Sequence, residues 1–143
     1  MPKLIFVNLP VTDLARATTF YESLGAEKNG RFSDSTASCM AFSETIHVML
    51  LTHDKFRQFT PKMIADAREA TEVLICVSAP SREAVDDMVS RAGRAGGRPD
   101  PGPKQDHGFM YGRSFEDPDG HIWEVVWMDA AAIAAGDCEK SAA

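Results

Sequence analysis

The stretch RSFEDPDGHIWEVVWMD, residues 113–129, predicts two β-strands joined by a tight turn at DPDG. Side chains alternate between the two faces of a strand, so Glu124 shares one face with Ile122 and Val126. The other face carries Trp123, Val125 and Trp127. Glu124 is thus a carboxylate on an apolar face, which costs free energy unless another group pairs with it or water reaches it. A functional role in a cavity is favoured, and the alternative is an ion pair with a buried arginine.

The composition is that of an ordinary globular protein. A length of 143 residues suits one compact domain or two small halves that share a core. The net charge of −6 argues against a nucleic-acid or anionic-membrane partner. No apolar run approaches the roughly 20 residues of a membrane span, and the N-terminus does not resemble a signal peptide. A cytoplasmic location is the default expectation.

The cysteines indicate neither a disulfide framework nor a zinc site. There are three of them, Cys39, Cys76 and Cys138, widely spaced and without a CxxC pair. Cys39 and Cys76 lie in apolar segments typical of strands, so we expect both to be buried thiols.

The first half of the chain predicts a strand, a helix and three further strands. LIFVNLPV has the composition of a strand, and TDLARATTFYESLG places apolar residues at helical spacing. Thr12 or Asp13 can cap the start of this helix, and Gly25 suits its end. Three short strands are then predicted near residues 27–33, 37–43 and 45–51.

The second half repeats this order. ATEVLICVS predicts a strand beginning near Thr71, SREAVDDMVSRAGRAGG predicts a helix capped by Ser81, and the weak segment RPDPG precedes the DPDG hairpin. Placing Val11 on Val77 superimposes the two strand–helix openings. We therefore expect a first module at residues 1–52, a partly helical linker at 53–70, a second module at 71–128 and a C-terminal tail at 129–143.

Two motifs resemble the vicinal oxygen chelate superfamily, which includes glyoxalase I, extradiol dioxygenases, and fosfomycin and bleomycin resistance proteins. They are VNLPVTDLARATTFYESLG near the start and GRSFEDPDGHIWEVVW near the end. The resemblance implies an α+β fold, a single glyoxalase-like domain over residues 1–143. Its two βαβββ modules would form a curled, partly open mixed-sheet barrel. It also implies a small-molecule ligand in the cavity and a homodimer, with no nucleic acid or membrane as partner.

The resemblance further implies the positions of metal ligands. Glu124 falls where the family has a carboxylate ligand, and Glu72 falls at a position usually held by histidine. Phe6, at the corresponding position of the first module, cannot bind a metal. The fourth position falls at Val48 or one residue earlier at His47, and only His47 could be a ligand. The resemblance therefore implies a candidate site for a divalent metal (Zn, Ni, Mn or Fe) at Glu72, Glu124 and His47.

Other side chains are candidates for contact with a substrate. Tyr111 offers a weak acid and, with Glu124, is a candidate catalytic residue; Arg113 offers a planar fork for a carboxylate or phosphate. An alternative is that Arg113 pairs with Glu124 or Asp117 and holds the hairpin together. The substrate-binding candidates are Phe6, Asn8, His107, Phe109, Tyr111 and Arg113. The competing interpretation of His107 is an exposed loop histidine.

Two functions follow from these expectations. The first is a glyoxalase-like, divalent-metal-dependent lyase or isomerase with a degenerate metal site. The alternative is a metal-free protein that binds or sequesters a small molecule, as bleomycin resistance proteins do. Phe6 at a ligand position counts against a complete metal site, and with Glu72 it makes dioxygenase chemistry the less favoured activity.

Overall fold

A computed structural model describes residues 2–134 as two compact units. The first unit is the chain up to Ala70 together with Pro118–Gly120, and the second is Thr71–Asp117 together with the chain from His121 onward. The segment DCEKSAA of the predicted tail, which includes Cys138, lies outside the described residues.

The first unit contains one four-stranded sheet in the order β1-β4-β3-β2. Strand β1 runs parallel to β4, and the remaining neighbours are antiparallel. The elements are β1 (Ile5–Val11), α1 (Leu14–Ser23), β2 (Glu27–Asn29), a 3-10 turn (Gly30–Phe32), β3 (Ala37–Ala41), β4 (Ile46–Thr52) and α2 (His53–Arg57).

Helix α1 packs on one face of this sheet. It begins where the Asp13 carboxylate accepts a hydrogen bond from the backbone N–H of Arg16 at 3.1 Å. It ends before Gly25, whose φ of +96° is a conformation that favours glycine. Phe20 and Tyr21 are fully buried, as is Val48 of β4. The predicted amphipathic helix and its two end signals are confirmed.

The second unit repeats the topology of the first. Its sheet has the order β5-β9-β8-β6, with β5 parallel to β9, and with β7 pairing to β8. The elements are β5 (Ile75–Ser78), α3 (Arg82–Arg94), β6 (Arg98–Pro99), β7 (Gln105–Asp106), β8 (Met110–Glu116), β9 (Ile122–Met128) and α4 (Ala130–Ala134). The predicted α+β fold with a repeated module is confirmed, as two mixed sheets that are not closed into one barrel.

The core of the second unit lies between its sheet and α3. The Phe115 and Trp123 rings stack with centroids 6.5 Å apart, and neither side chain is exposed. Val85 and Val89 of α3 are equally buried. Ser81 caps α3 as predicted, accepting from the backbone N–H of Ala84 at 3.0 Å. The face of β9 that carries Trp123 is therefore the core face.

Several sequence-based boundaries and burial predictions were wrong. Strand β5 begins at Ile75 and not near Thr71, because pairing with β9 starts only there and the preceding Val73 and Leu74 are exposed. The short strand β7 was not predicted, because two residues carry too little periodicity. Cys39 is buried as expected, whereas Cys76 is exposed.

The DPDG turn is structural, as predicted. The Asp117 carboxylate accepts from the backbone N–H of His121 at 2.9 Å. Asp119 belongs to the first unit, where its Oδ1 accepts from both the backbone N–H and the hydroxyl of Thr12. Gly120 has a φ of +93°, and a Cβ there would lie only 2.9 Å from the backbone nitrogen of Arg68.

None of the helices within residues 2–134 is both long and apolar enough to cross a membrane.

Candidate functional site

A pocket of about 250 Å³ opens on the sheet of the second unit. Apart from Arg113, its residues from β8 and β9 belong to the face that alternates with the Trp123 face, so the pocket lies mainly on the side of the sheet away from α3. The lining residues are Leu74, Pro101, Gly102, Pro103, Gln105, Met110, Gly112, Arg113, Ser114, Ile122, Glu124 and Val126. Carbon atoms make up most of the surface that lines the pocket, so the pocket is mainly apolar.

Glu124 is the one carboxylate among the residues that line this pocket. It is half-buried between Ile122 and Val126, and Ser114 lies opposite it on β8. Within residues 2–134 no ion pair or hydrogen bond involves its carboxylate. An arginine partner, the alternative drawn from the sequence, is therefore not found in the described chain, and the carboxylate is open to a group that enters the pocket.

Cys76 is an ionisable neighbour of Glu124. The two residues are aligned on the parallel strands β9 and β5. Although Cys76 is exposed as a residue, partial desolvation of its thiol raises the thiol pKa, and the negative charge of Glu124 raises it further. Cys76 therefore keeps its proton at neutral pH, which makes it a poor nucleophile and a poor metal ligand.

Tyr111 and Arg113 lie on the α3 side of the sheet. The Tyr111 hydroxyl and Arg113 Nη1 both donate to Asp86 Oδ1 of α3, at 2.7 and 2.9 Å. The hydrogen bond to Asp86 raises the pKa of Tyr111, so its hydroxyl holds its proton. Arg113 also donates twice to Asp100, so its acidic partners are Asp86 and Asp100 and not Glu124 or Asp117. Only Arg113 of this pair borders the pocket.

His107 and Phe109 lie in the loop that precedes β8, and neither lines the pocket. The His107 side chain is exposed, and its ring centroid is 6.4 Å from that of Phe109. The backbone N–H of His107 donates to the carbonyl of Met110 at 2.9 Å. This placement matches the loop histidine that was the competing interpretation of His107.

Phe6, Asn8 and His47 belong to the first unit. Phe6 and His47 are aligned on β1 and β4, and their rings stack with centroids 4.8 Å apart. Val48 is buried in the core, so His47 and not Val48 lies on the face away from α1, with Phe6 and Asn8. His47 Nε2 donates to the Glu44 carbonyl at 3.2 Å, and its buried Nδ1 has no partner within residues 2–134.

The structure does not bring the three predicted metal ligands together within one unit. Glu72 is exposed and precedes β5, whereas Glu124 lies in the middle of β9. His47, in the first unit, has only the phenyl ring of Phe6 as its aligned neighbour on β1. In the part of the chain that the structure describes, no group of three or more His, Cys, Asp or Glu side chains is arranged to hold a metal ion.

Sequence reasoning missed one wall of the pocket. Pro101, Gly102, Pro103 and Gln105 come from the segment between β6 and β8, which the sequence marked only as weak and turn-rich. The signal was the run RPDPGPKQ, since a Pro- and Gly-rich segment next to a functional strand is typical of binding loops. Gly112 and Ser114 were also missed, although strand alternation from Arg113 places both on the other face of β8.

Comparison with known proteins agrees with this architecture. The sequence model of the Glyoxalase/Bleomycin resistance protein/Dioxygenase superfamily matches residues 3–125. No curated protein matches the chain at a significant level.

Several solved structures are similar along most of the chain. A hypothetical protein from S. aureus is 27% identical, with a TM-score of 0.73 over 89% of this chain and 94% of its own. A glyoxalase/bleomycin resistance protein/dioxygenase family enzyme from Burkholderia phytofirmans PsJN is 17% identical, with a TM-score of 0.71 over 89% of this chain and 99% of its own. The fosfomycin resistance protein FosX from Mesorhizobium loti is 17% identical, with a TM-score of 0.66 over 94% and 98% of the two chains.

At these identities the last two likenesses show the fold alone. The family match spans both motifs that were singled out in the sequence, the strand–helix opening and most of the hairpin around DPDG. The repeated topology of the two units agrees with this match and with the similarity to the solved structures. The chain therefore belongs to the glyoxalase/bleomycin resistance protein/dioxygenase superfamily.

Proposed function

We propose that this protein binds a small, mainly apolar molecule that carries a cationic nitrogen, with Glu124 as the polar anchor. The observation that supports this proposal is the carboxylate of Glu124, which lies in an apolar pocket of the second unit without a hydrogen-bond or ion-pair partner among residues 2–134. A half-buried carboxylate is best satisfied by a cation or a hydrogen-bond donor. The pocket volume of about 250 Å³ falls just below the range of about 300–1,000 Å³ typical of drug-sized ligands, which favours a small one.

The sequence offered this metal-free binding role as the alternative to a metal-dependent enzyme. We favour binding because, within residues 2–134, no group of three or more His, Cys, Asp or Glu side chains that could hold a metal includes Glu124, while Tyr111 is engaged with Asp86. The apolar groups that surround Glu124 would contact the apolar part of a ligand, and the carboxylate would bind its cationic nitrogen and so fix its orientation.

The test compares two probes that differ in charge, 4-phenylbutylamine and 4-phenylbutanol. We expect the amine to bind more tightly, and Glu124→Gln to weaken the amine by about tenfold while leaving the alcohol unchanged. NMR titration measures both affinities, and shifts of the Ser114 and Val126 signals locate the site. Equal binding of the two probes, or an equal loss of both in the variant, would contradict the role of the carboxylate.

A metal-dependent lyase or isomerase of glyoxalase type is the second candidate. The carboxylate of Glu124 in its pocket supports it, because carboxylates are common ligands of divalent metals. Elemental analysis of protein purified without chelator tests it directly. Near-stoichiometric metal whose removal lowers the melting temperature would favour this candidate over metal-free binding.

A homodimer and a cytoplasmic location stay predictions from the sequence. Partial exposure of Leu4, Ile5 and Phe6, at 49%, 54% and 50%, supports association through the first strand. Analytical ultracentrifugation over a range of concentrations measures the assembly.

A further inference from the structure

Residues 100–106, here called the strap, form one wall of the Glu124 pocket. Pro101, Gly102, Pro103 and Gln105 of the strap all line the pocket. Side chains 103–106 are exposed, so little apolar burial holds the strap in place. Its position therefore comes from the pairing of β7 with β8 and from polar side-chain contacts at its two ends.

The first end of the strap is held by Arg113. Its Nε and Nη2 donate to the two carboxylate oxygens of Asp100, at 3.0 and 2.6 Å. This is the two-pronged geometry in which a guanidinium binds a carboxylate most strongly. The Arg113 side chain is only 15% exposed and that of Asp100 is 30% exposed, so water and salt screen the pair weakly.

The backbone at this end has an unusual conformation. Asp100 has a φ of +53°, a left-handed conformation that non-glycine residues rarely adopt. Its backbone N–H donates to the Ser114 carbonyl at 2.8 Å, and the N–H of Gly102 donates to Ser114 Oγ at 3.1 Å. Two adjacent residues of β8, Arg113 and Ser114, thus hold the strap where it leaves β6.

The second end of the strap is held by Arg82 of α3. Its Nη1 and Nη2 donate to Asp106 at 3.0 and 2.8 Å, and Nη2 also donates to the Gly108 carbonyl at 3.1 Å. The guanidinium lies 5.0 Å from the ring centroid of Tyr111 and 5.3 Å from that of Trp127. The Arg82 side chain is 36% exposed and that of Asp106 is 53% exposed, so solvent screens this ion pair more strongly than the Arg113–Asp100 pair.

The geometry points to Arg113 and Arg82 as positioning residues that clamp the strap at both ends and so set the shape of the pocket. The Arg113–Asp100 pair is the main clamp because it is the less exposed of the two. This inference rests on the proposed function in so far as the pocket is taken to be the binding site. Asp86 supports the clamp, since it accepts from Arg113 and from Tyr111 beneath Arg82.

The test is amide hydrogen exchange measured by NMR on Arg113→Met, with Arg91→Met as a matched control. Arg91 forms an ion pair with Asp87 within α3, and within residues 2–134 it makes no hydrogen bond or ion pair to the strap. We expect the amides of Asp100 and Gly102 to exchange about tenfold faster in Arg113→Met, while those of Val85 and Val89 keep their protection. The affinity for 4-phenylbutylamine should fall in the same variant and hold in Arg91→Met.

A purely structural role of Arg113 would give a different pattern. Exchange would then rise throughout the second unit, or the amides of Asp100 and Gly102 would behave as in the control, and either result overturns the clamp. If Arg113→Met fails to fold, Asp100→Asn takes its place, because asparagine tolerates the left-handed conformation and removes only the charge. Failure of wild-type protein to bind 4-phenylbutylamine would count against the proposed function, while the exchange data would still decide whether the clamp exists.

Discussion

Cys76 and Glu124 lie directly opposite each other on the parallel strands β5 and β9, so a thiol and a carboxylate are neighbours at the candidate site. Partial desolvation raises the pKa of the thiol, and the negative charge of the carboxylate raises it further. A change in the charge of Glu124 should therefore change the pKa of the Cys76 thiol, and with it the rate at which the thiol reacts.

The first prediction is that Glu124→Gln makes Cys76 react faster with iodoacetamide at pH 7.5. Removal of the negative charge lowers the pKa of the thiol and increases the fraction of reactive thiolate. Mass spectrometry of timed samples measures the rate, with Cys138→Ser in every protein so that Cys76 is the exposed thiol followed. Glu116→Gln serves as control, because Glu116 pairs with Arg98 and should leave the rate unchanged. An unchanged rate in Glu124→Gln would show that the two groups do not interact.

The second prediction concerns Gly112, which lines the pocket. A Cβ at this position would lie 3.0 Å from Val126 Cγ2, so Gly112→Ala should push the Val126 side chain into the pocket. We expect a clear loss of affinity for 4-phenylbutylamine, with a destabilisation of about 1–2 kcal/mol from overpacking. Gly93→Ala is the control, since its Cβ meets Pro99 at an ordinary 3.5 Å and adds a helix-favouring residue. Unaltered binding by Gly112→Ala would place the ligand elsewhere.

The third prediction separates backbone strain from steric contact in the first unit. Gly25 and Gly120 both have positive φ, but a Cβ at Gly25 meets nothing within 4 Å, whereas one at Gly120 lies 2.9 Å from the backbone nitrogen of Arg68. Gly25→Ala should cost about 1–2 kcal/mol from the left-handed conformation alone. Gly120→Ala should cost more, because the backbone of Ala67 and Arg68 must also move. Urea unfolding measures the free energy of unfolding of both variants. An equal loss in the two would mean that the backbone of residues 67–68 can move without a cost in stability.

The fourth prediction is a loss of stability in acid. Hydrogen bonds from Arg82 lower the pKa of Asp106 to about 2, and those from Tyr111 and Arg113 lower the pKa values of Asp86 and Asp100. A carboxylate with a lowered pKa in the folded state stabilises the protein above its unfolded pKa, near 3.8, and this contribution is lost as the pH falls towards 2. We therefore expect these three groups to contribute a constant stability from pH 7 to 5 and a falling one below pH 4.

Urea midpoints at pH 7, 5 and 3 measure this effect. Asp106→Asn should show a smaller drop between pH 5 and pH 3 than the wild type, because one of the titrating groups is gone. Asp54→Asn is the control, since Asp54 pairs with Arg57 on the exposed surface of α2 in the first unit. A drop of the same size in Asp106→Asn would assign the acid sensitivity to other carboxylates.

Much of the fold could be predicted from local chemistry. The caps at Asp13 and Ser81 and the glycine turn at Gly120 depend on a few neighbouring residues, and each forms as its local sequence indicates. The start of β5 could not be predicted this way, because Val73 and Leu74 have strand-like side chains but no paired partner on β9. Strand ends are decided by the partner strand, and the chain alone does not show where that partner begins.

The candidate site was only partly predictable for a related reason. Alternation showed that Glu124 lies on an apolar face, and the structure places that face in a pocket. Alternation also showed that Tyr111 and Arg113 share a face, but it could not show that this face meets α3. The candidate ligands Glu72, Glu124 and His47 are not assembled within one unit, because Glu72 precedes its strand and His47 belongs to the other unit.

The sequence by itself determined the family, the repeated order of elements and the presence of a carboxylate on an apolar strand face. These follow from periodicity, caps and turns, which act over a few residues. Only the tertiary structure decided that Arg113 pairs with Asp86 and Asp100 and that Glu124 has no partner in the described chain. Such pairings depend on how α3, the strap and the sheet pack together, and packing brings together side chains that no local pattern connects.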